Sequence, residues 1–368
     1  MKIIINQPRV SYFVGGAEQV SMEHARQLNA MGHNVVVVTL DPRSINMAYS
    51  GQYQSFKRLY SRDIEFIELR QDSSILDIYA IEPGESRVRW NIESLFYNKS
   101  LRAYLDGNSG GAVVLSYYIL DCLDSGQNTN VLYLCGTPKE RDDFQGSFLR
   151  LYDKAVAISD NVSDYWSRYS LQKVPTVYPG VDTARFSPDA CRAKVDIGSA
   201  GRLNILYVGR LIERKNVESL IDAVKIVRNH GVNVLLSIVG DGPDRRRLES
   251  VADDNVRFIG KSDEPEKYYK NSDIFVTPSR YGDGVQGTIL EAMSTGLVCV
   301  ASDTRINGTL LSKGRGVVCK CDAVSIANAI ESVCLNMSSY NAVEIRKYIC
   351  DNYSWKSSVE RLVKEILL

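Results

Sequence analysis

The chain has 368 residues, of which 44% are hydrophobic and 24% charged, globular proportions that exclude wholesale disorder and fibrous repeats. Lysine plus arginine and aspartate plus glutamate each number 44, and this neutral balance argues against a partner held through phosphate backbone contacts, so no nucleic acid is expected. No apolar run approaches the ~20 residues that span a bilayer.

The opening MKIIINQPRV carries a three-isoleucine run broken by Asn6. That is too short for a signal-peptide core, and the expectation is a soluble chain in the cytoplasm. The length suits two domains of roughly 150–180 residues each.

Along the chain, short apolar runs read as buried strands at Lys2–Ile5, Asn34–Val38, Ala112–Leu115, Val131–Leu134 and Lys154–Ile158. The pattern returns at Leu203–Val208, Val234–Val239, Val256–Ile259, Asp273–Val276 and Val298–Ala301. Between them lie helical stripes, such as Val217, Leu220, Ile221, Val224 and Val227. Continuous β-branched runs separated by amphipathic helices predict parallel sheets covered on both faces, an α/β architecture. Pro175, Pro179, Gly180 and Pro188, followed by polar Asp189–Gly201, predict a linker at about 180–202. The expected organisation is an N-terminal Rossmann-like domain over 1–185, a C-terminal one over 200–350 and a helix over 354–368. In that last helix Trp355, Val359, Leu362, Val363 and Ile366 share a face. Ligands of such folds bind beyond the carboxyl ends of the strands.

The eight cysteines, Cys122, Cys135, Cys191, Cys299, Cys319, Cys321, Cys334 and Cys350, form no CxxC pair and have no histidine placed to complete a zinc set. They read as reduced structural thiols, and no metal site is expected.

Three segments could carry chemistry. Gly15-Gly16 follow the first strand and open a helix, so they suit either close approach to an anion or a flexible turn. The dinucleotide fingerprint GxGxxG is missing there, which weakens an oxidoreductase reading. Arg210 and Lys215, in YVGRLIERKN, come just beyond the carboxyl end of a strand. A planar fork and a compact charge suit a diphosphate, although two surface cations would look the same. The third segment is Tyr281–Gly296, YGDGVQGTILEAMSTG, where glycines precede an apolar helix whose exposed N–H groups form an anion site. Asp283 and Glu291 are eight residues apart. With Asp283 in the loop and Glu291 in the helix, they can reach different hydroxyls of one extended ligand; Glu291 could equally be a first-turn residue complementing the helix dipole.

Taken together, GGAE at Gly15–Glu18, PGVDTARFSP at Pro179–Pro188, VGRLIERKN at Val208–Asn216, VGDGP at Val239–Pro243 and DGVQGTILEAMSTG at Asp283–Gly296 resemble the retaining glycosyltransferases of family 4, with the GT-B fold. The resemblance implies two Rossmann-like domains facing a cleft, with the final helix crossing back to the N-terminal domain. It implies a UDP- or GDP-linked sugar as donor, a saccharide or lipid-linked saccharide as acceptor, transfer of a hexose, and no cofactor or metal. Arg210 and Lys215 would then contact the diphosphate, Asp283 a hydroxyl of the transferred sugar and Glu291 the ribose. Gly284, Val285, Gln286, Gly287 and Thr288 would line the phosphates, Gly15 and Gly16 would approach them from the other domain, and Lys261 and Pro278 would lie near the base.

Two departures stand out: Asp283 occupies a position where the family usually has Glu, and Gly136 one where many members have His. Of the three histidines, His24 reads as a packed helix residue, His33 as a turn residue and His230 as a helix-end residue. The alternatives are a nucleotide-sugar epimerase or hydrolase and a catalytically silent nucleotide-sugar-binding subunit. Lys57, Arg58 and Arg62, in the segment 52–62, offer cations to solvent or, for a peripherally bound protein, to an anionic membrane face.

Overall fold

The computed structural model describes residues 1–71, 87–108, 110–138, 143–188, 201–281 and 284–367. Two units emerge, Met1–Tyr178 with Ser358–Leu368, and Pro179–Ser357.

In the first unit the chain runs β1 (Lys2–Asn6), α1 (Gly16–Ala30), β2 (Asn34–Leu40), α2 (Gly51–Tyr60), β3 (Glu65–Leu69), α3 (Arg87–Asn108), β4 (Val113–Ser116), β5 (Thr129–Leu134), α4 (Asp143–Ser147), β6 (Lys154–Ala157) and α5 (Asp160–Trp166). Its parallel sheet has the order β3-β2-β1-β4-β5-β6. Ile3, Ile4, Val35, Val38, Val114 and Leu115 have no solvent exposure. Such two-sided burial is what a continuous apolar run encodes.

The second unit runs β7 (Leu203–Val208), α6 (Val217–Asn229), β8 (Val234–Val239), α7 (Arg245–Val251), β9 (Val256–Gly260), α8 (Glu266–Lys270), β10 (Ile274–Thr277), α9 (Gly287–Ser294), β11 (Val298–Ser302), α10 (Arg305–Leu311), β12 (Gly316–Cys319), α11 (Ala323–Leu335), α12 (Ala342–Tyr353) and α13 (Trp355–Leu367). The last of these runs on into the first unit from Ser358. The sheet order is β12-β11-β10-β7-β8-β9. Relabelled from its own first strand this is the same winding as the first sheet, so each has one switch point, between β1 and β4 and between β7 and β10. The stripe foreseen on α6 is the buried one, with Val217, Leu220, Ile221, Val224 and Val227 all at or below 2% exposure.

The ten strands read from the sequence are all present, but β3 and β12 leave no such run. Both are edge strands, and most of their residues are only half-buried. The linker expectation over 180–188 is corrected. Val181 pairs with Ser354, and its N–H donates to the Tyr353 carbonyl. Arg346 donates to the carbonyls of Thr183 and Phe186, while Ser294 Oγ donates to Phe186 O. A Cβ on Gly180 would fall 2.4 Å from the Trp355 backbone. These prolines therefore shape a strap packed on the second unit rather than a spacer; positions 189–200 lie outside the described residues.

The seven described cysteines are free thiols. Among the described residues no helix is long and apolar enough to cross a membrane, and no group of three or more His, Cys, Asp or Glu gathers at one point.

Candidate functional site

The second unit's switch point collects most of the candidate residues. The segment after β7 carries Arg210 and Lys215, and the segment after β10 carries Pro278 and leads to Gln286, the N-cap of α9. Asn216 pins the two together. Its backbone is left-handed (φ 56°), and its buried side chain donates to the carbonyls of Pro278 (3.3 Å) and Cys321 (2.7 Å). Its Oδ1 accepts from Arg280 Nε at 3.1 Å. The Arg280 N–H also donates to Arg214 O at 2.9 Å, so backbone joins backbone across the switch point.

The glycines of VGDGP serve packing. A Cβ on Gly240 (φ +141°) would fall 1.9 Å from Gly209 O, and one on Gly242 would fall 2.3 Å from Leu211 O. Only glycine permits that approach, which braces the loop of Arg210 from behind.

Lys215 is the most telling residue. Its Nζ donates to Gln286 Oε1 at 3.0 Å. The same oxygen accepts from Thr277 Oγ1 at 2.8 Å and from Ser279 Oγ at 3.3 Å. Burial, with Arg214 and Arg210 nearby, pushes the Lys215 ammonium down to about 8. The amide it meets is neutral, so among the described residues a cation stands at a helix start with no carboxylate bonded to it. Such a place draws an anion. Gly287, first residue of α9, is exposed, with nothing beyond its own chain neighbours and helix backbone within 4 Å of where a Cβ would lie, so a ligand can come close to its backbone.

Glu291 lies beyond the first turn of α9, so it is not simply an N-terminal charge on the helix dipole. Its carboxylate accepts from the Tyr269 hydroxyl at 2.7 Å. Burial raises its pKa, and the Tyr269 bond opposes that rise. With one oxygen engaged by a fully buried ring, the carboxylate is oriented and keeps acceptor capacity for a ligand hydroxyl.

Arg210 is exposed, and its carbonyl accepts from the buried Tyr207 hydroxyl at 3.0 Å. Lys261 is exposed just after β9, Pro278 is buried just after β10, and Gly284, Val285 and Thr288 are half-buried around the α9 start. Asp283 lies outside the described residues. A cavity of about 250 Å³ opens nearby between α6 and α7, lined by Glu213, Asn216, Glu218, Asp244, Arg247 and Arg280. It does not include Lys215 or α9, and its arginines are paired with Glu218, Asp244 and Glu213.

Gly15 and Gly16 belong to the first unit, at the end of the loop after β1. Glu18 accepts from Gly15 N–H at 3.0 Å, and burial raises that carboxyl's pKa. Gly16 is exposed, with open space where a Cβ would stand. Gly136 gives its carbonyl to Trp166 Nε1 at 2.9 Å. His24 is fully buried against the Tyr117 hydroxyl (2.9 Å) and the edge of Tyr133, and burial pushes it down to about 3, so it is a neutral packing residue, as its helical spacing suggests. His230 caps α6 and meets Glu331 at 2.7 Å.

Residues that the sequence does not single out fill the first unit's switch point. Arg9, on the loop after β1, is buried with Asp121 at 2.7 Å and Glu93 at 3.4 Å. Its guanidinium lies 5.0 Å from the Tyr118 ring centroid and 5.4 Å from that of Trp90. Burial lifts Asp121 to about 6, opposed by Arg9 and by the Ser94 hydroxyl. No motif announces this cluster, because its members come from three distant segments. Thr277, Ser279 and Tyr269 are hidden for a similar reason: an isolated hydroxyl at a strand end or in a short helix carries no period or spacing.

Residues 202–336 match the family described as "Glycosyl transferases group 1". An uncharacterized glycosyltransferase of Methanocaldococcus jannaschii is 26% identical over 227 residues, 58% of this chain and 57% of that protein. The GDP-mannose-dependent alpha-(1-6)-phosphatidylinositol monomannoside mannosyltransferase of Mycolicibacterium smegmatis is 30% identical over 208 residues, 50% of this chain and 54% of that one. The chain thus spans about half the length of these curated relatives. Among solved structures, Anabaena HepE in complex with UDP superposes with a TM-score of 0.75 at 14% identity, covering 99% of both chains. Sucrose-phosphate synthase of Thermosynechococcus elongatus gives 0.72 at 19% identity, over 99% of this chain and 97% of that one. The fold is that of the GT-B glycosyltransferases.

Proposed function

We propose that this protein is a retaining glycosyltransferase that moves a hexose from a UDP- or GDP-linked sugar to a hydroxyl of a saccharide or lipid-linked saccharide, in cell-surface polysaccharide or glycan biosynthesis. The observation that carries this reading is the Lys215 ammonium at the start of α9, held by a neutral amide at a topological switch point. The group 1 match over 202–336 covers that place. The relatives supply the donor class by analogy: one is named for GDP-mannose, and another was solved with UDP.

In this reading Lys215, Arg210 and the first N–H groups of α9 take the diphosphate, Glu291 takes the ribose, and Asp283 takes a hydroxyl of the transferred sugar. Lys261 and Pro278 flank the base. The bond between the anomeric carbon and the β-phosphate oxygen breaks, and the acceptor oxygen bonds to that carbon on the same face. The acceptor's proton passes to the departing phosphate oxygen, so no side chain has to act as a strong base, and Gly136 in place of a histidine is compatible with turnover. Lys215 and Arg210 meet the charge growing on the leaving group. Fixed charges aimed at such a centre are the main help the protein gives the reaction, and no metal ion is required.

Thermal unfolding with UDP, GDP, ADP and dTDP, followed by the matching sugars, tests the reading. A ligand at 100 times its Kd stabilises by about 2.7 kcal/mol, a rise of a few degrees for a chain of this size. A rise with UDP or GDP is the expected result. No rise with any of the four would overturn the donor assignment.

A further inference from the structure

In the sequence Gln286 stands out only as backbone lining a phosphate site. Its side chain does something more specific. Three donors converge on its Oε1: Lys215 Nζ at 3.0 Å, Thr277 Oγ1 at 2.8 Å and Ser279 Oγ at 3.3 Å. Lysine can only donate, so the amide must turn its oxygen and not its nitrogen toward Nζ. Thr277 ends β10 and Ser279 lies two residues beyond it; both are buried, so they fix the amide at the end of a rigid element. Gln286 is also the N-cap of α9, which fixes its backbone.

We propose that Gln286 is a positioning residue for Lys215: its amide oxygen holds the ammonium at the start of α9 and releases it to the incoming diphosphate. The inference rests on the reading that Lys215 faces that diphosphate. A neutral acceptor suits the task where a carboxylate would not. A hydrogen bond between an amide and a cation is strong enough to select one position of a flexible side chain, yet a diphosphate with full negative charge outcompetes it. A glutamate here would cancel the lysine's charge and repel the phosphate.

Among the described residues, the charged groups that act on Lys215 are Arg214 and Arg210, both cations on its own segment; Glu213 lies on the same segment, Arg280 beyond β10 and Glu291 further along α9. Arg280 is engaged by Glu213 and Asn216, and Glu291 by Tyr269. Among the described residues, Gln286 is the side chain that accepts from the ammonium, so its chemistry is the one a substitution can change at contact distance.

The test needs no substrate. Lys215 is titrated in the full chain by pulse acetylation with acetic anhydride across pH 6–11, read by peptide mass spectrometry, in the wild type, Gln286→Glu and Gln286→Met. Gln286→Glu is nearly isosteric and should raise the Lys215 midpoint by about one unit or more, as an opposite charge at contact distance does. Gln286→Met removes the acceptor and should lower it. Unchanged midpoints in both variants, with wild-type unfolding temperatures, overturn the proposal.

Binding of UDP and GDP to the same proteins separates this inference from the one it rests on. Weaker binding in both variants, alongside shifted midpoints, is the expected result. Shifted midpoints with no nucleotide bound by the wild type would sink the donor reading and leave the Gln286–Lys215 coupling standing. Normal binding with unchanged midpoints would do the reverse.

Discussion

At the switch point of the first sheet a guanidinium, Arg9, is sealed between two carboxylates and two aromatic rings. At that of the second an ammonium, Lys215, is held by a neutral amide. The strand order is the same, and so is the backbone crevice it creates. The difference lies in what answers the cation. Arg9 is at 2% exposure and Asp121 and Glu93 at 0%, so the first cation serves architecture. In the second unit the described neighbours leave a positive charge that a ligand can meet. On the proposed reading, one winding serves once as a strut and once as a binding site.

The largest expected effect breaks the strut. Arg9→Met leaves Asp121 and Glu93 buried without their cation and should cost about 3–5 kcal/mol of stability in urea unfolding. Adding Asp121→Asn and Glu93→Gln should recover a good part of that loss. A single variant as stable as the wild type would mean that the cluster is no strut.

On the other side, Lys215→Ala should keep the fold and lose ~2–4 kcal/mol of transition-state stabilisation, read as turnover of the donor sugar. The lowered Lys215 pKa gives the same asymmetry a stability signature. The folded state releases this proton near 8 and the unfolded chain only in the ordinary lysine range. The burial cost is therefore fully present below about pH 8 and fades as pH rises from there toward that range. Lys215→Met should accordingly unfold at a higher temperature than the wild type at pH 7, with the advantage shrinking through pH 8–10. A variant equally or less stable at pH 7 would contradict the idea that this lysine is kept for function.

The smallest effect sharpens the picture of Glu291. Tyr269→Phe removes one hydroxyl from the carboxylate and should weaken nucleotide binding by about 1 kcal/mol. It should also move the acid limb of binding upward, since that bond opposes the effect of burial on Glu291. Unchanged affinity at all pH values would remove Tyr269 from the site.

The second unit's candidate site is more legible in the sequence than the first unit's buried cluster. Lys215, Gly287 and Glu291 sit in two compact motifs, where glycine, charge and an apolar helix follow one another within a few residues. Arg9, Glu93 and Asp121 are spread over more than a hundred positions; Arg9 and Asp121 follow the neighbouring strands β1 and β4, and Glu93 comes from α3. The same contrast holds for the strands. Interior strands such as Leu203–Val208 and Val234–Val239 announce themselves with their observed bounds, because both faces are buried. Among the edge strands, Lys154–Ala157 and Val256–Gly260 still leave a readable run, whereas Glu65–Leu69 is interrupted by Glu65 and Glu68 and Gly316–Cys319 opens on a glycine. The strap over 179–188 is hidden by its prolines and glycine, which look the same in a spacer as in a segment pressed against Trp355 and Arg346.

The central claim is that Lys215 is kept uncancelled for a diphosphate. Calorimetric titration of UDP and UMP, and of GDP and GMP, into the wild type and Lys215→Ala tests it most directly. In the wild type one diphosphate should bind at least ~10-fold tighter than its monophosphate, as one charge-assisted bond provides, and Lys215→Ala should erase most of that preference. A variant that keeps the full preference would contradict the account.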